Sequence, residues 1–257
     1  MINKMIARML GIMGYEVKIA NGPCTQKYVL RQAHDMGFMP ATVIDVGAAH
    51  GEFSLNCAKV FPDAEYLLID PLEEYRPFIE TARKNIGRSH HCTAAAASHE
   101  GDITLNVHPD LVGSSLFLEK EDTNVNGVPR TVKAVTLDRI VRERGLKPPY
   151  LVKVDVQGSE LEVLEGAKEI VADFGLVILE TSFYEFFKGG PQMHDVVAYM
   201  KSNGFMVYDI FGLSHRPLDG ALAQANFVFV KEDGPLRANH HYATPDQRAQ
   251  LTERLKR

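Results

Sequence analysis

The segment Asp45-Val46-Gly47-Ala48-Ala49-His50-Gly51-Glu52 carries the clearest chemical signal in the chain. It follows a β-rich run, ATVIDVG (41–47), and opens a helix. Small residues at a strand-to-helix turn let a ligand approach the backbone closely, and a helix N-terminus favours negative charge. A second acidic residue, Asp70, ends the next strand, EYLLID (65–70), and Pro71 follows it. In a parallel sheet that carboxylate lies beside the first turn, where it can accept hydrogen bonds from both hydroxyls of a ribose. The dinucleotide fingerprint needs G-x-G-x-x-G. Counting from Gly47, its second position is Ala49 and its third is Glu52. A carboxylate at the helix start is a poor neighbour for a pyrophosphate. The D-x-G-x-x-x-G form that is present suits a nucleoside ligand without phosphates, S-adenosylmethionine, with its amino acid end at the turn and its ribose at Asp70. The competing reading is a glycine turn of any α/β fold with Asp70 on the surface.

A second polar set, Lys153-Val154-Asp155-Val156-Gln157-Gly158-Ser159-Glu160, ends a later strand. Ligands of open α/β sheets bind beyond the carboxyl ends of the strands, so Asp155 is expected to face the reacting groups. There it could take a proton from a hydroxyl, orient that hydroxyl, or hold a divalent metal. Otherwise it is a strand-end carboxylate accepting backbone N–H groups. Lys153, inside the strand, needs a carboxylate partner. Ser159 and Glu162 match the S-x-x-E capping box, while Glu160 either reaches the site or favours the helix N-terminus. Glu180, at the end of GLVILET (175–181), occupies the same edge one strand over. Two close carboxylates could share a proton or chelate Mg²⁺ or Ca²⁺; an ion pair of Glu180 with Lys153 or an arginine is the alternative. Phe183 and Tyr184 line an acceptor pocket or belong to the core. The ten histidines show no helical H-x-x-x-H zinc spacing, and no protein metal site is assigned. As catalytic residues we take Asp155 first, then Glu180, with His50 in the turn and His108 ahead of a Gly/Ser loop as helpers.

These residues need a scaffold, and the pattern around them alternates strand and helix. Strands are expected at 41–47, 65–70, 90–96, 150–156 and 175–181, with helices at 52–61, 73–86, 159–171 and 191–203. Strands at 205–210 and 226–230 close the series. Such alternation predicts a mostly parallel sheet with helices on both faces, and the near-continuous apolar strands fit burial on both sides. Residues 1–40 are expected to form an N-terminal helical cap of two helices, 41–231 the main domain, and 232–257 a tail. Residues 101–135 are an insertion whose Gly/Ser/Asn-rich middle is expected to be a mobile loop. In the tail, Thr244-Pro245-Asp246-Gln247 is a helix start: Thr as N-cap, Pro at the first helical position, Gln at the capping-box position.

With 257 residues, of which 45% are hydrophobic and 24% charged, the chain can bury a sizeable core. Its formal net charge of -5 is a poor match for nucleic acid. Cys24, Cys57 and Cys92 fit neither a C-x-x-C pattern nor a disulfide framework, which reads as reduced thiols in a cytoplasm. No apolar run approaches the length of a transmembrane span. Ile2, Ile6, Met9, Leu10 and Met13 form one helical stripe. It is expected to dock on its own domain, with a homodimer or membrane-surface contact as the alternatives.

Taken together, VIDVGAAHGEF (43–53), LLIDP (67–71), VTLDRI (135–140), LVKVDVQGSELEVLEGA (151–167), VILETSF (177–183) and LAQANFVFV (222–230) resemble the FkbM family of S-adenosylmethionine-dependent methyltransferases. The resemblance covers roughly residues 25–231. It implies a class I methyltransferase fold, a Rossmann-like sheet of seven strands with the last antiparallel, and O-methylation of a sugar, glycan or natural-product hydroxyl. It places Asp45, Gly47, Ala48 and Gly51 in the cofactor turn, Asp70 and Pro71 at the ribose, and Ala95 and Ala96 beside the adenine. Asp155 and Glu160 match the family's D-x-x-G-x-E signature, and Ser114 and Ser115 match a Ser-containing loop near the active site. His50 replaces an Asn often seen in the turn, and Asn226 stands where an Asp is usual. The expected partner is a small-molecule or glycan acceptor. Two other functions fit the residues less well: a nicotinamide-dependent oxidoreductase, and a non-catalytic module that binds the adenosyl ligand.

Overall fold

The computed structural model describes residues 22–121 and 124–255. The apolar stripe of residues 2–13, and with it the first helix expected in the cap, lies outside the described residues. The first helix among the described residues is α1 (Gln26–Asp35), capped by the Thr25 side chain, which accepts from the Tyr28 N–H at 3.3 Å. Its buried residues Val29, Leu30 and Ala33 belong to the core.

Seven strands form the main sheet: β1 (Thr42–Val46), β2 (Glu65–Ile69), β3 (Ser89–Cys92), β7 (Tyr150–Val154), β8 (Phe174–Ser182), β9 (Phe205–His215) and β10 (Leu222–Lys231). Their order is β3-β2-β1-β7-β8-β10-β9. Pairing is parallel from β3 through β8, and β10 runs antiparallel to both β8 and β9. The order reverses between β1 and β7, so a crevice opens at the carboxyl ends of those two strands.

The alternation of side chains in these strands explains their largely apolar character. Val43, Leu68, Leu151 and Ile178 point to one face, and Ile44, Leu67, Val152 and Val177 to the other. Both faces are covered, so these strands are mostly apolar, and the buried exceptions Thr42, Asp45 and Lys153 need partners. The first face is closed by α1, α2 (Glu52–Ala58) and α3 (Arg76–Ile86), through Phe53, Cys57 and Ile79. The second is closed by α4 (Leu137–Arg144), α5 (Glu160–Glu165) and α6 (Met193–Ser202), through Ile140, Val163 and Met200. The tail is less separate than its position suggests, since Leu236 is buried in the first cluster. The last helix, α7 (Pro245–Leu255), has the expected reciprocal cap: Thr244 Oγ1 accepts from Gln247 N at 3.2 Å, and Gln247 Oε1 accepts from Thr244 N at 2.9 Å.

Two expectations about local structure need correcting. The third strand at 90–96 is divided: β3 stays in the main sheet, while β4 (Ala95–Ala96) pairs with β6 (Val128–Val135) in a second sheet of order β4-β6-β5, with β5 at Gly101–Val107. The insertion is therefore a β-ribbon. The described part of its connecting segment, residues 108–121, forms a strap held by backbone pairing. Isolated bridges pair Asn106 with Ser115 and Glu119 with Phe187. The Lys120 N–H donates to Phe186 O at 2.7 Å and the Lys188 N–H to Leu118 O at 2.8 Å. Backbone pairing of this kind replaces the hydration that a Gly/Ser/Asn-rich composition would otherwise favour.

Candidate functional site

The turn after β1 is shaped by two glycines that no other residue could replace without rearrangement. Gly47 has φ +76°, and a Cβ on it would lie 1.9 Å from the Asp155 carbonyl oxygen. That contact presses the turn against the end of β7 and brings the two sequence motifs together. Gly51 starts α2 with φ +74°, and a Cβ there would meet the Ala82 Cβ at 2.6 Å.

Asp70 is buried at the end of β2, where its two oxygens are held apart by the backbone. Oδ2 accepts from the Ala49 N–H at 2.9 Å and Oδ1 from the Leu72 N–H at 3.0 Å. One lone pair on each oxygen is left for a ligand. Burial outweighs these two bonds and pushes the carboxyl up to about 6. A ligand whose hydroxyls need the ionised carboxylate should therefore bind more weakly once the pH falls below about 6. Titration of S-adenosylhomocysteine affinity between pH 8 and pH 5 checks this. A flat profile would mean that Asp70 stays ionised or does not contact the ligand.

Between these elements lies a small cavity of about 130 Å³ that opens to solvent. Gly47, Ala49, Asp70 and Pro71 line it from the β1 and β2 sides, and Ala94 and the β4 residues Ala95 and Ala96 from the second sheet. Asp155, Val156, Gln157 and Ser159 line it from the end of β7, and Leu111, Ser114 and Leu116 of the strap cover it. Among the described residues, two carboxylates face this cavity and no Lys, Arg or His lines it.

The other proposed site residues stand behind or beside that space. Asp45 is buried and accepts from the Ser54 hydroxyl at 2.6 Å; burial raises its pKa, against the opposing pull of Lys153 and Ser54. Ala48 is buried beneath the turn. His50 is exposed and packs edge-on against Tyr75 and Phe78, with ring centroids at 5.0 and 4.6 Å. His108 is held by Asp110 at 2.7 Å in the strap.

Lys153 finds its carboxylate two residues along. Its Nζ donates to Asp155 Oδ2 at 2.7 Å and lies 5.7 Å from the centroid of the Phe53 ring. In the parallel pairing of β1 with β7, Lys153 stands beside Asp45. Burial would lower the lysine, but Asp155 and Asp45 hold it above its ordinary value. Asp155 accepts from the Gln157 amide at 3.1 Å, and the same amide donates to Glu180 Oε2 at 2.8 Å. Gln224 donates to that Glu180 oxygen at 3.0 Å.

The carboxyl pair divides its charge unequally. Burial raises both groups, but the Lys153 ammonium overcomes this at Asp155 and holds it below the usual carboxylate range. Glu180 is pushed up to about 8 by burial and by the neighbouring Asp155. At neutral pH Asp155 is thus the ionised member and Glu180 the protonated one, which is the shared-proton arrangement. Among the described residues no group of three or more His, Cys, Asp or Glu side chains is placed to hold a metal ion. The space between Asp155 and Glu180 is bridged by the Gln157 amide, a donor, where a cation would need acceptors.

The expected Ser159–Glu162 capping box is absent. Gln157 and Gly158 have φ +55° and +96°, and this bend turns the N–H groups of Val156 and Gly158 onto Glu160 Oε1 at 3.4 and 3.1 Å. Ser159 donates to Val156 O at 3.2 Å instead, and Glu162 accepts from the Ser98 hydroxyl at 2.6 Å. Glu160 is buried inside its own loop and pushed up to about 7 by that burial. The site residues absent from the sequence reading are Gln157 and Gln224. Ser115, noted there only through the resemblance, is buried and donates to Gln157 O at 2.6 Å, which ties the strap to the carboxylate loop.

The main-sheet order β3-β2-β1-β7-β8-β10-β9 with β10 antiparallel, and a cavity between the turn after β1 and the end of β7, define a class I methyltransferase fold. A family profile described as "Methyltransferase FkbM domain" matches residues 45–207, and the chain belongs to this family. The methyltransferase sdnD of Sordaria araneosa is 26% identical over 170 residues, 53% of this chain and 64% of that protein. The hexuronic acid methyltransferase AglP of Haloferax volcanii is 31% identical over 84 residues, 33% of each chain. The chain thus spans less than two thirds of the length of either relative. Among solved structures, magnesium protoporphyrin IX methyltransferase (ChlM) from Synechocystis PCC 6803 with bound SAM is similar at 13% identity, with a TM-score of 0.45 over 80% of this chain and 77% of that one.

Proposed function

We propose that this protein transfers a methyl group from S-adenosylmethionine to a hydroxyl of a sugar, glycan or natural product. The observation that carries this reading is the pair of carboxylates, Asp70 and Asp155, facing a cavity that no basic side chain lines among the described residues. A pyrophosphate would find no counter-charge there, whereas a cationic sulfonium is favoured by both carboxylates. The alanines at 94–96 are small enough to leave a flat apolar slot for adenine, and Asp70 has lone pairs free for the ribose. When bound, the cofactor supplies an electrophilic methyl group.

The chain's own residues do the rest. Asp155 accepts a hydrogen bond from the acceptor hydroxyl, aligns its oxygen and takes its proton as the new bond forms. Lys153 keeps Asp155 ionised, and Glu180 beside it stays protonated. Held this way, Asp155 is a weak base, so most of the rate comes from alignment of the two reactants. The name of the Haloferax relative makes a sugar acid a reasonable first acceptor to try.

The test combines binding with turnover. Calorimetric titration with S-adenosylmethionine and S-adenosylhomocysteine, with and without Mg²⁺, should give micromolar affinity. Mass spectrometry of acceptor panels containing hexoses, hexuronic acids and hydroxylated polyketides should find a product heavier by one methylene. A folded protein that binds neither adenosyl ligand would overturn the proposal.

A further inference from the structure

Tyr75 follows the ribose-side acid Asp70 by five residues, in the turn that leads into α3. Its side chain is 4% exposed, and its hydroxyl is shielded from solvent with no hydrogen-bond partner. A buried phenol normally finds a partner, because it has given up water to reach its place. Tyr75 also lines the cavity beside Asp70 and Leu72. The other buried side-chain atoms without partners among the described residues belong to Gln26, Gln32, Arg83, His91, Asn226 and Arg237, none of which lines this cavity. The ring is braced by the edge contact with His50. Burial, and then Asp70 and Asp110 nearby, disfavour the phenolate, so at neutral pH the group is a neutral hydroxyl able to donate and to accept.

We infer that Tyr75 is a cofactor-binding residue, and that its hydroxyl hydrogen-bonds a ribose hydroxyl of the bound nucleoside beside Asp70. The inference rests on the S-adenosylmethionine reading of the cavity and assigns it a residue that the motifs do not include. A partner supplied by the ligand explains why the protein leaves this one hydroxyl unpaired. It also makes the position sensitive to the sugar: a ligand lacking the matching hydroxyl leaves the phenol unsatisfied.

Tyr75→Phe separates this role from a packing role, because the two predict opposite signs. Removing an unsatisfied buried hydroxyl should leave the ligand-free melting temperature unchanged or higher. Affinity for S-adenosylhomocysteine should fall roughly 3- to 10-fold, the worth of one neutral hydrogen bond. Calorimetry is run on wild type and variant with S-adenosylhomocysteine and with its 2′-deoxy and 3′-deoxy ribose analogues. For one of the two analogues the difference between the proteins should vanish. Equal affinity of wild type and variant for the parent ligand overturns the inference, as does a melting temperature that falls while affinity holds. An identical loss with both analogues overturns the ribose assignment. A wild-type protein that binds none of the three ligands overturns the cofactor reading itself, and is told apart from the other outcomes by that control.

Discussion

Replacing Asp155 by Asn is expected to lower turnover by about 10²- to 10⁴-fold, the usual range for losing a positioned acid or base. The substitution keeps the size of the side chain and one acceptor oxygen for the Lys153 ammonium, which sits at 2.7 Å. It removes the only ionised member of the carboxyl pair, so the acceptor hydroxyl loses both its anchor and the destination of its proton. Cofactor affinity should change only a few-fold, since Asp70 and the Gly47 turn are untouched. Glu180→Gln is the informative partner experiment. Glu180 is pushed up to about 8 and is protonated at neutral pH, so its amide isostere leaves the charge of the pair unchanged. That variant should retain most of the turnover at pH 7. Above pH 8 the wild-type protein places two negative charges around the Gln157 amide, and its rate should change there; the Gln variant should lose that limb of the profile. Rate constants for both variants across pH 5–9 check the pair of expectations. Wild-type turnover in the Asn variant would remove Asp155 from the mechanism.

How much of this site could be read from the chain follows from the distance in sequence over which each contact is made. The strands that place Asp70, Asp155 and Glu180 announce themselves as contiguous apolar runs, and the parallel order then sets the three carboxylates along one edge of the sheet. The Gly47 turn is legible because a local pattern, a strand followed by small residues and a helix, reports it. The bridging amides are not. Gln224 reaches Glu180 from 44 residues away, and Ser115 reaches the Gln157 carbonyl from 42. Neither contact leaves a period or a motif, because glutamine and serine are equally at home on a surface. The capping box at Ser159 failed for a different reason. Its spacing is right, but the left-handed backbone at Gln157 and Gly158 redirects the N–H groups onto Glu160, and no pattern of side-chain types reports a φ angle in advance. The 106–115 and 119–187 bridges are backbone pairings, which the Gly/Ser/Asn-rich composition of the segment does not announce.

Lys153→Met should be among the most destabilising single changes in the molecule, at a cost of about 3–5 kcal/mol. Methionine matches the length and apolar stem of lysine and keeps the contact with Phe53, so packing changes little. What it removes is the one cation among Asp45, Asp155 and Glu180. Asp45 is buried against the Ser54 hydroxyl, and Asp155 keeps the Gln157 amide and the protonated Glu180, none of them a counter-charge. Both carboxylates must then ionise without compensation or take up protons. The pH dependence follows from the sign of the shifts. With lysine present, Asp155 lies below its ordinary value, so it contributes stability that is present above about pH 4 and is lost as the pH falls through its folded value. Without the lysine, both groups lie above their ordinary value of 3.8, and stability is instead lost as the pH rises through their new values. The difference between wild type and variant should therefore be large at pH 7 and shrink toward pH 4. Urea unfolding of the two proteins at pH 4, 5.5 and 7 measures it. Adding Asp155→Leu to the methionine variant should recover part of the lost stability while leaving turnover absent, which separates the structural duty of the pair from its chemical one. A cost that stays the same at all three pH values would mean that the lysine acts through packing rather than charge.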